Sequence, residues 1–214
     1  MQIRRISAAF VAAPGIRDLL DREEIPFTPV NQVNWPTYPY LPDVAVRMAL
    51  GNDALLIHYR VSEQAVLARY ATDGDKVWTD SCVETFIRPN GAEGYYNIEC
   101  TCIGTLLIAY GAGRIERQPL SKELLGSVDR WASLGRQPLG LISTHTTWEL
   151  ALALPYKLFG DHSPLVSSGD FRLNVYKCGD DLPTPHFVSL FPISAPAPDF
   201  HRPDCFGKPE IRLC

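Results

Sequence analysis

Val77-Trp78-Thr79-Asp80-Ser81-Cys82-Val83-Glu84-Thr85-Phe86-Ile87 runs from an aromatic, acidic turn straight into a strand-like segment with a glutamate inside it. A buried carboxylate without a partner is costly, so strands in a core seldom carry one. A ring beside a fixed carboxylate is also what a sugar site needs. The ring covers the apolar C–H face and the carboxylate accepts from hydroxyls.

Strand signals spread outward from this segment. Cys82 to Arg88 and Tyr95 to Cys102 flank the loop Pro89-Asn90-Gly91-Ala92-Glu93-Gly94, and Leu106 to Tyr110 continues the pattern. Upstream, Val44 to Leu50 alternates and meets Leu55 to Val61 across Gly51-Asn52-Asp53, which reads as a hairpin. Val66 to Tyr70 is another short run. Downstream, Thr147 to Leu154 places Trp148, Leu150, Leu152 and Leu154 on one face. Phe171 to Cys178, Phe187 to Leu190 and Glu210 to Leu213 complete the set. Helical signals are few: Asp18 to Glu24, Ser121 to Leu125 with Ser121 as N-cap, and Pro155 to Phe159 with Pro155 at the first position. Many short strands separated by Gly, Pro, Asn and Asp predict an all-β antiparallel sandwich with a few short helical turns, formed as one domain over residues 1–214. The aromatic, proline-rich segment from Pro183 to Pro203 reads as an ordered loop over one end of it.

Bulk numbers narrow the function. The chain has 214 residues, 46% apolar and 21% charged, with a net charge of -4. A chain of this size buries roughly 70% of its unfolded surface. The acidic balance gives nucleic acid no basic patch, and no apolar run approaches the ~20 residues of a membrane span. Met1 to Pro14 carries Arg4-Arg5 ahead of an Ala-rich stretch broken by Pro14-Gly15, and reads as a first strand rather than a signal peptide. That places the cytoplasm slightly ahead of the periplasm or secretion. Six cysteines are present, and Cys100 and Cys102 share a strand face without metal-knuckle spacing. They read as small buried hydrophobes.

Parity locates the candidate site. Tyr95, Asn97, Glu99 and Thr101 share one strand face, and Tyr96, Ile98, Cys100 and Cys102 the other. Arg172, Asn174 and Tyr176 oppose the apolar Phe171, Leu173 and Val175. If these polar faces coincide with Glu84 they form a hydrogen-bonding floor, although alternation alone favours a solvated sheet face.

The pattern Trp78-x-Asp80-Ser81-x-Val83-Glu84-x-Phe86-Ile87, followed by Asp199-Phe200-His201-Arg202-Pro203-Asp204-x-Phe206-Gly207, resembles the family 9 carbohydrate-binding modules. Asn34-Trp35-Pro36-x-Tyr38-Pro39, Tyr95-Tyr96-Asn97-Ile98-Glu99, Tyr176-Lys177-Cys178-Gly179-Asp180 and Pro185-His186-Phe187 extend it to a free-standing subgroup of polysaccharide-degrading bacteria. The resemblance runs from about Asn31 to the C-terminus. It implies an immunoglobulin-like sandwich and non-catalytic binding of a mono- or oligosaccharide between two rings, in association with glycoside hydrolases. By motif, Trp78 matches the first ring and Phe200 the second, where the family archetype has Trp. Glu84 matches the sugar-contacting carboxylate. Asn97 and Glu99 stand where the archetype has Arg and Asn, Asn174 matches a polar strand position, and Lys177 lies near it. Some members bind structural calcium, and Asp73, Asp75 and Asp80 are weak candidates for it; no other cofactor is implied.

Two other readings compete. A glycosidase would use Glu84 and Glu99, with Asp80 third, and His186 or His201 near Cys178 or Cys205 would suggest a thiol nucleophile. A protein-interaction sandwich would need no sugar at all.

Overall fold

Alternation sets the strand faces in the computed structural model, which describes residues 1–7 and 11–212. In chain order the strands are Gln2–Arg5 (β1), Thr28–Pro29 (β2), Gln32–Val33 (β3), Asp43–Leu50 (β4), Ala54–Glu63 (β5), Val66–Ala68 (β6), Cys82–Pro89 (β7) and Tyr95–Thr101 (β8). They continue with Leu106–Gly111 (β9), Gln118–Pro119 (β10), Asp129–Ala132 (β11), Leu139–Ile142 (β12), Thr146–Pro155 (β13), Phe171–Cys178 (β14), Phe187–Ser189 (β15) and Glu210–Arg212 (β16). One seven-stranded sheet runs β11-β13-β5-β4-β1-β16, with β2 also on β4; the other runs β10-β9-β8-β7-β14-β15-β3. Pairing is antiparallel except at β1, which lies parallel to both β4 and β16.

The two sheets stack as a β-sandwich. Val44, Val46, Met48 and Leu50 of β4 and Trp148, Leu150, Leu152 and Leu154 of β13 meet Tyr96, Ile98 and Cys100 of β8 and Leu173 and Val175 of β14 in one core. The Tyr59 hydroxyl and the Thr85 hydroxyl bond across it. The β4–β5 hairpin closes with Leu50 opposite Leu55, around the turn its Gly-Asn-Asp sequence predicts.

Both outer faces are also covered. On the first sheet, the helix Ile16–Arg22 (α1) packs Ile16, Leu19 and Leu20 on Leu56 and on Ala49, Ala151 and Ala153, three small residues that let it sit close. On the second, Phe86, Tyr95 and Tyr176 carry a separate apolar cluster with Trp35, Ile193, Phe200 and Phe206. The face that alternation left as a solvated candidate is therefore buried.

Several expectations need correction. The N-terminal strand is confined to Gln2–Arg5; positions 8–10, within the stretch read as that strand, lie outside the described residues, as do Leu213 and Cys214. The 3-10 helix spans Tyr156–His162, and Pro155 ends β13 with extended backbone instead of opening the helix. Short β2, β3, β10, β11 and β12 carry too few residues for periodicity to show. The segment ending at Pro203 does not sit over one end of the sandwich. It crosses the outer face of the second sheet, where Asn174 binds its Phe191 backbone and Leu173 bridges to Gly207 just beyond it. Ser121 caps the helix Lys122–Gly126 (α2) by accepting from the Leu124 N–H, as its position predicts.

Candidate ligand-binding site

Three rungs of the second sheet build a cavity floor on its outer face. Glu84 on β7 lies directly opposite Glu99 on β8, and Glu99 opposite Leu107 on β9. The next rung brings Asn97 beside Ala109, and the one on the other side places Cys178 of β14 opposite Phe187 of β15. All seven line a cavity of about 580 Å³. Beyond them, the part of the same face that carries Phe86 and Asn174 is closed by the C-terminal segment, so the floor ends where that cover begins.

Trp78 forms one wall. It sits on the 3-10 turn Val77–Thr79 and is 36% exposed. The motif's Asp80 explains why this turn is rigid. Its buried carboxylate accepts from the Arg69 guanidinium at 2.9 Å and from the Arg69 and Tyr70 amides, and Arg69 reaches on to Asp181 at 2.7 Å. The Asp181 amide in turn donates to the Thr79 carbonyl. Asp80 therefore holds the wall and is spent on that task.

Phe200 lines the cavity from the C-terminal segment, yet is only 8% exposed. One face stacks on Tyr176 at 4.2 Å and 8° between planes, and the Tyr176 hydroxyl donates to the Phe200 carbonyl. His201 follows, bonded to the Tyr95 hydroxyl at 2.7 Å, and burial lowers its pKa to about 4.

The floor is electrostatically unusual. Glu99 Oε1 accepts from Asn97 at 2.7 Å, but Glu99 Oε2 is buried with no polar partner. Burial is the main cause that lifts Glu99 to about 7, with the Asn97 hydrogen bond and Arg117 acting in the opposite direction. Burial also pushes Glu84 well above its ordinary value, reinforced by Cys178 and Glu99. Asp180, at the rim after β14, rises to about 6 through burial and its neighbour Asp181. Arg117 supports the floor from the side. It donates to Asn97 Oδ1 at 2.9 Å and to the carbonyls of Tyr95, Ala109, Gly111 and Gly113, with its guanidinium 4.2 Å from the Tyr95 ring centroid.

Trp78, Glu84, Asn97, Glu99 and Phe200 are thus brought to one cavity. Asn174 and Lys177 are not among its lining residues. Asn174 has the right parity, but its amide is used by the Phe191 and Cys205 carbonyls and the Phe191 N–H. Lys177 has the opposite parity. It points between the sheets, 2.8 Å from both Glu63 Oε2 and His186 Nε2, and is fully buried. Arg117 and Cys178 line the site without having been singled out for it, because Arg117 lies in a loop with no motif and Cys178 reads as packing.

Ligand-type atoms for a metal also separate. Asp73 is engaged by Arg130 through two 2.7 Å contacts and Asp80 by Arg69, so the weak calcium candidates Asp73, Asp75 and Asp80 do not converge among the described residues. The group that does converge is Cys82, Glu84 and Cys178, within 4.8 Å of one another. Burial pushes Cys82 up to about 12 and Cys178 well above the usual thiol range, which works against the thiolates a soft metal needs. The Cys178 thiol instead donates to Glu84 at 3.1 Å, and His186 and His201 are bonded elsewhere, so no activated thiol–imidazole pair forms there.

A sequence profile described as carbohydrate-binding family 9 matches residues 15–211. The chain belongs to carbohydrate-binding family 9. A Bacteroides uniformis protein of known structure, provisionally assigned to carbohydrate binding, is 38% identical with a TM-score of 0.91, covering 99% of this chain and 98% of its own. Family 9 modules from Caldicellulosiruptor kristjanssonii share the fold at much lower identity. The glucose complex is 11% identical with a TM-score of 0.55, covering 100% of this chain and 96% of its own. The cellotriose complex is 9% identical with a TM-score of 0.54, covering 100% and 95%. No curated protein matches the chain. The sandwich is accordingly that of a family 9 domain.

Proposed function

We propose that this family 9 domain binds a terminal or small sugar in the cavity between Trp78 and Phe200, without catalysis, with Glu84, Asn97 and Glu99 addressing its hydroxyls. The observation that carries the reading is the floor itself: buried polar groups, one of them lacking a partner, facing a cavity walled by an accessible indole. The sugar complexes of the two low-identity modules and the assignment of the Bacteroides uniformis protein support the ligand class. A role beside glycoside hydrolases in polysaccharide breakdown rests on the sequence resemblance.

Covering roughly 100 Å² of sugar C–H surface is worth about 2–3 kcal/mol. Hydrogen bonds to charged groups add about 1.5–3 kcal/mol each, and ordering costs offset much of the sum. Affinity on the order of micromolar to millimolar follows. A hydrolytic reading has less support: Glu84 and Glu99 project side by side from one sheet face, and the matching family is described by carbohydrate binding.

Calorimetry with glucose and cellobiose tests the proposal. The wild type binds in that range, and Trp78→Ala weakens binding about 10–100-fold. Binding that Trp78→Ala leaves intact contradicts the clamp, and no heat with either sugar at millimolar concentration contradicts sugar recognition.

A further inference from the structure

The cavity floor gathers carboxylates without gathering cations. Glu84 and Glu99 face each other across β7 and β8, and Asp180 stands beside both. The arginine and lysine nearest them are engaged elsewhere, and Lys122, which also lines the cavity, is exposed and bonds to neither acid. Arg117 is spread over four carbonyls and the Asn97 amide oxygen, and touches Glu99 only by way of Asn97. Arg114 is 67% exposed and points to Asp199 at 4.0 Å. Lys177, which follows Tyr176 on β14, faces the opposite side of the sheet and is held by Glu63. On the floor, Glu84 receives only a thiol hydrogen bond and Glu99 only an amide hydrogen bond, leaving Glu99 Oε2 bare.

A neutral hydroxyl donates one hydrogen bond to that oxygen and brings no charge to offset ionisation of the two acids. A protonated primary amine brings three N–H donors and the missing charge at once. Charge-assisted hydrogen bonds of this kind are roughly twice as strong as neutral ones. We propose that the site selects an amino sugar with a free, protonated amine over its neutral counterpart, the ammonium seated on Glu99 Oε2 and Glu84.

This inference rests on the sugar-binding reading above and adds a charge to the ligand. It also carries a proton signature. The groups that face the two acids are Cys82 on β7, Tyr176, Cys178 and Asp180 from β14 and the turn after it, Asn97 on β8, and Arg117 from the loop before β10. With burial holding Glu99 near 7 and Glu84 higher, a bound cation drives both toward the carboxylate and releases protons. Affinity for the amino sugar then rises with pH through about 7, until the free amine itself loses its proton.

The test is calorimetry of the whole chain with glucose, glucosamine and N-acetylglucosamine from pH 5.5 to 8, each in two buffers of different ionisation enthalpy. Glucosamine is expected to bind on the order of tenfold tighter than glucose at pH 7, with proton release. N-acetylglucosamine shows neither effect, and Glu99→Gln and Glu84→Gln bring the glucosamine-to-glucose ratio toward one. If all three sugars bind alike without proton release, the amine preference is wrong and the sugar site stands. A preference that survives both Gln variants places the amine elsewhere and overturns the proposal. If no sugar binds, the underlying reading fails instead.

Discussion

Buried acids on the two sheets of this sandwich have opposite fates. Glu63, at the end of β5, lies between the sheets with the Lys177 ammonium at 2.8 Å, the Trp148 indole N–H donating at 2.8 Å, and His186 at 3.7 Å. The Glu63 charge is answered there by the buried Lys177 ammonium, an ion pair that Glu99 lacks. Glu84 and Glu99, on the outer face of the other sheet, have each other, a thiol, an amide and one bare oxygen. A completed network specifies structure, and an incomplete one that opens on a cavity is a place for a ligand. The difference turns on strand parity, since one residue separates Tyr176 opposite Glu84 from Lys177 on the inner face.

The largest expected effect breaks the completed side of the comparison. Lys177→Met leaves Glu63 charged and unanswered, and the loss of one partner of a buried pair costs about 3–5 kcal/mol. Denaturant unfolding checks it, and a stability within 1 kcal/mol of wild type would mean the network is not holding the two sheets. Phe200→Ala comes next. Removing a buried ring stacked on Tyr176 costs about 3 kcal/mol of stability, and it opens the second wall, so sugar affinity falls as well. Trp78→Ala, by contrast, lowers affinity with little change in melting, because that ring is already partly in solvent. If the two variants behave alike, the two walls are not as different as their burial indicates.

Glu99→Gln has a smaller effect on stability than Lys177→Met or Phe200→Ala, and the clearest sign. Glu99 titrates near 4.5 when unfolded and about 7 when folded. The protonated acid's contribution is therefore complete below about pH 4.5 and is lost as pH rises through 7. Replacing it by the neutral amide removes that loss, so stability at pH 8 rises by about 1–3 kcal/mol relative to wild type and converges with it at pH 4. A wild-type melting temperature that is flat between pH 5 and 8, and unchanged by the substitution, would contradict an uncompensated Glu99.

How much of this was legible beforehand follows the same physics. The long strands β4, β5, β7, β8, β13 and β14 declare themselves because each sends alternate residues into the core between the sheets over many positions. Two-residue strands such as β3 and β10 carry no period. Parity grouped Asn97 with Glu99, the Trp78 motif supplied the wall and Glu84, and the pairing of β7 with β8 joins them on one face. Parity could not tell that Asn174, on that same face, would be used up by the crossing C-terminal segment, because that depends on contacts distant in sequence. Lys177 was misjudged for a different reason. Its neighbours pointed to the site, but its own position is the inner one, and a lysine is not expected inside a core until Glu63 is seen beside it. Arg117 had no local signal, since its role comes from carbonyls of β8, β9 and the loop it closes.

The most direct test of the central claim is a crystal structure of the chain soaked with glucosamine and, separately, with glucose. The account predicts a sugar ring lying against Trp78 with a polar atom within hydrogen-bond distance of Glu99 Oε2, a nitrogen in the first case and a hydroxyl in the second. Density for the sugar elsewhere on the molecule, with Glu99 Oε2 still unpartnered and the cavity holding no ligand, would contradict it.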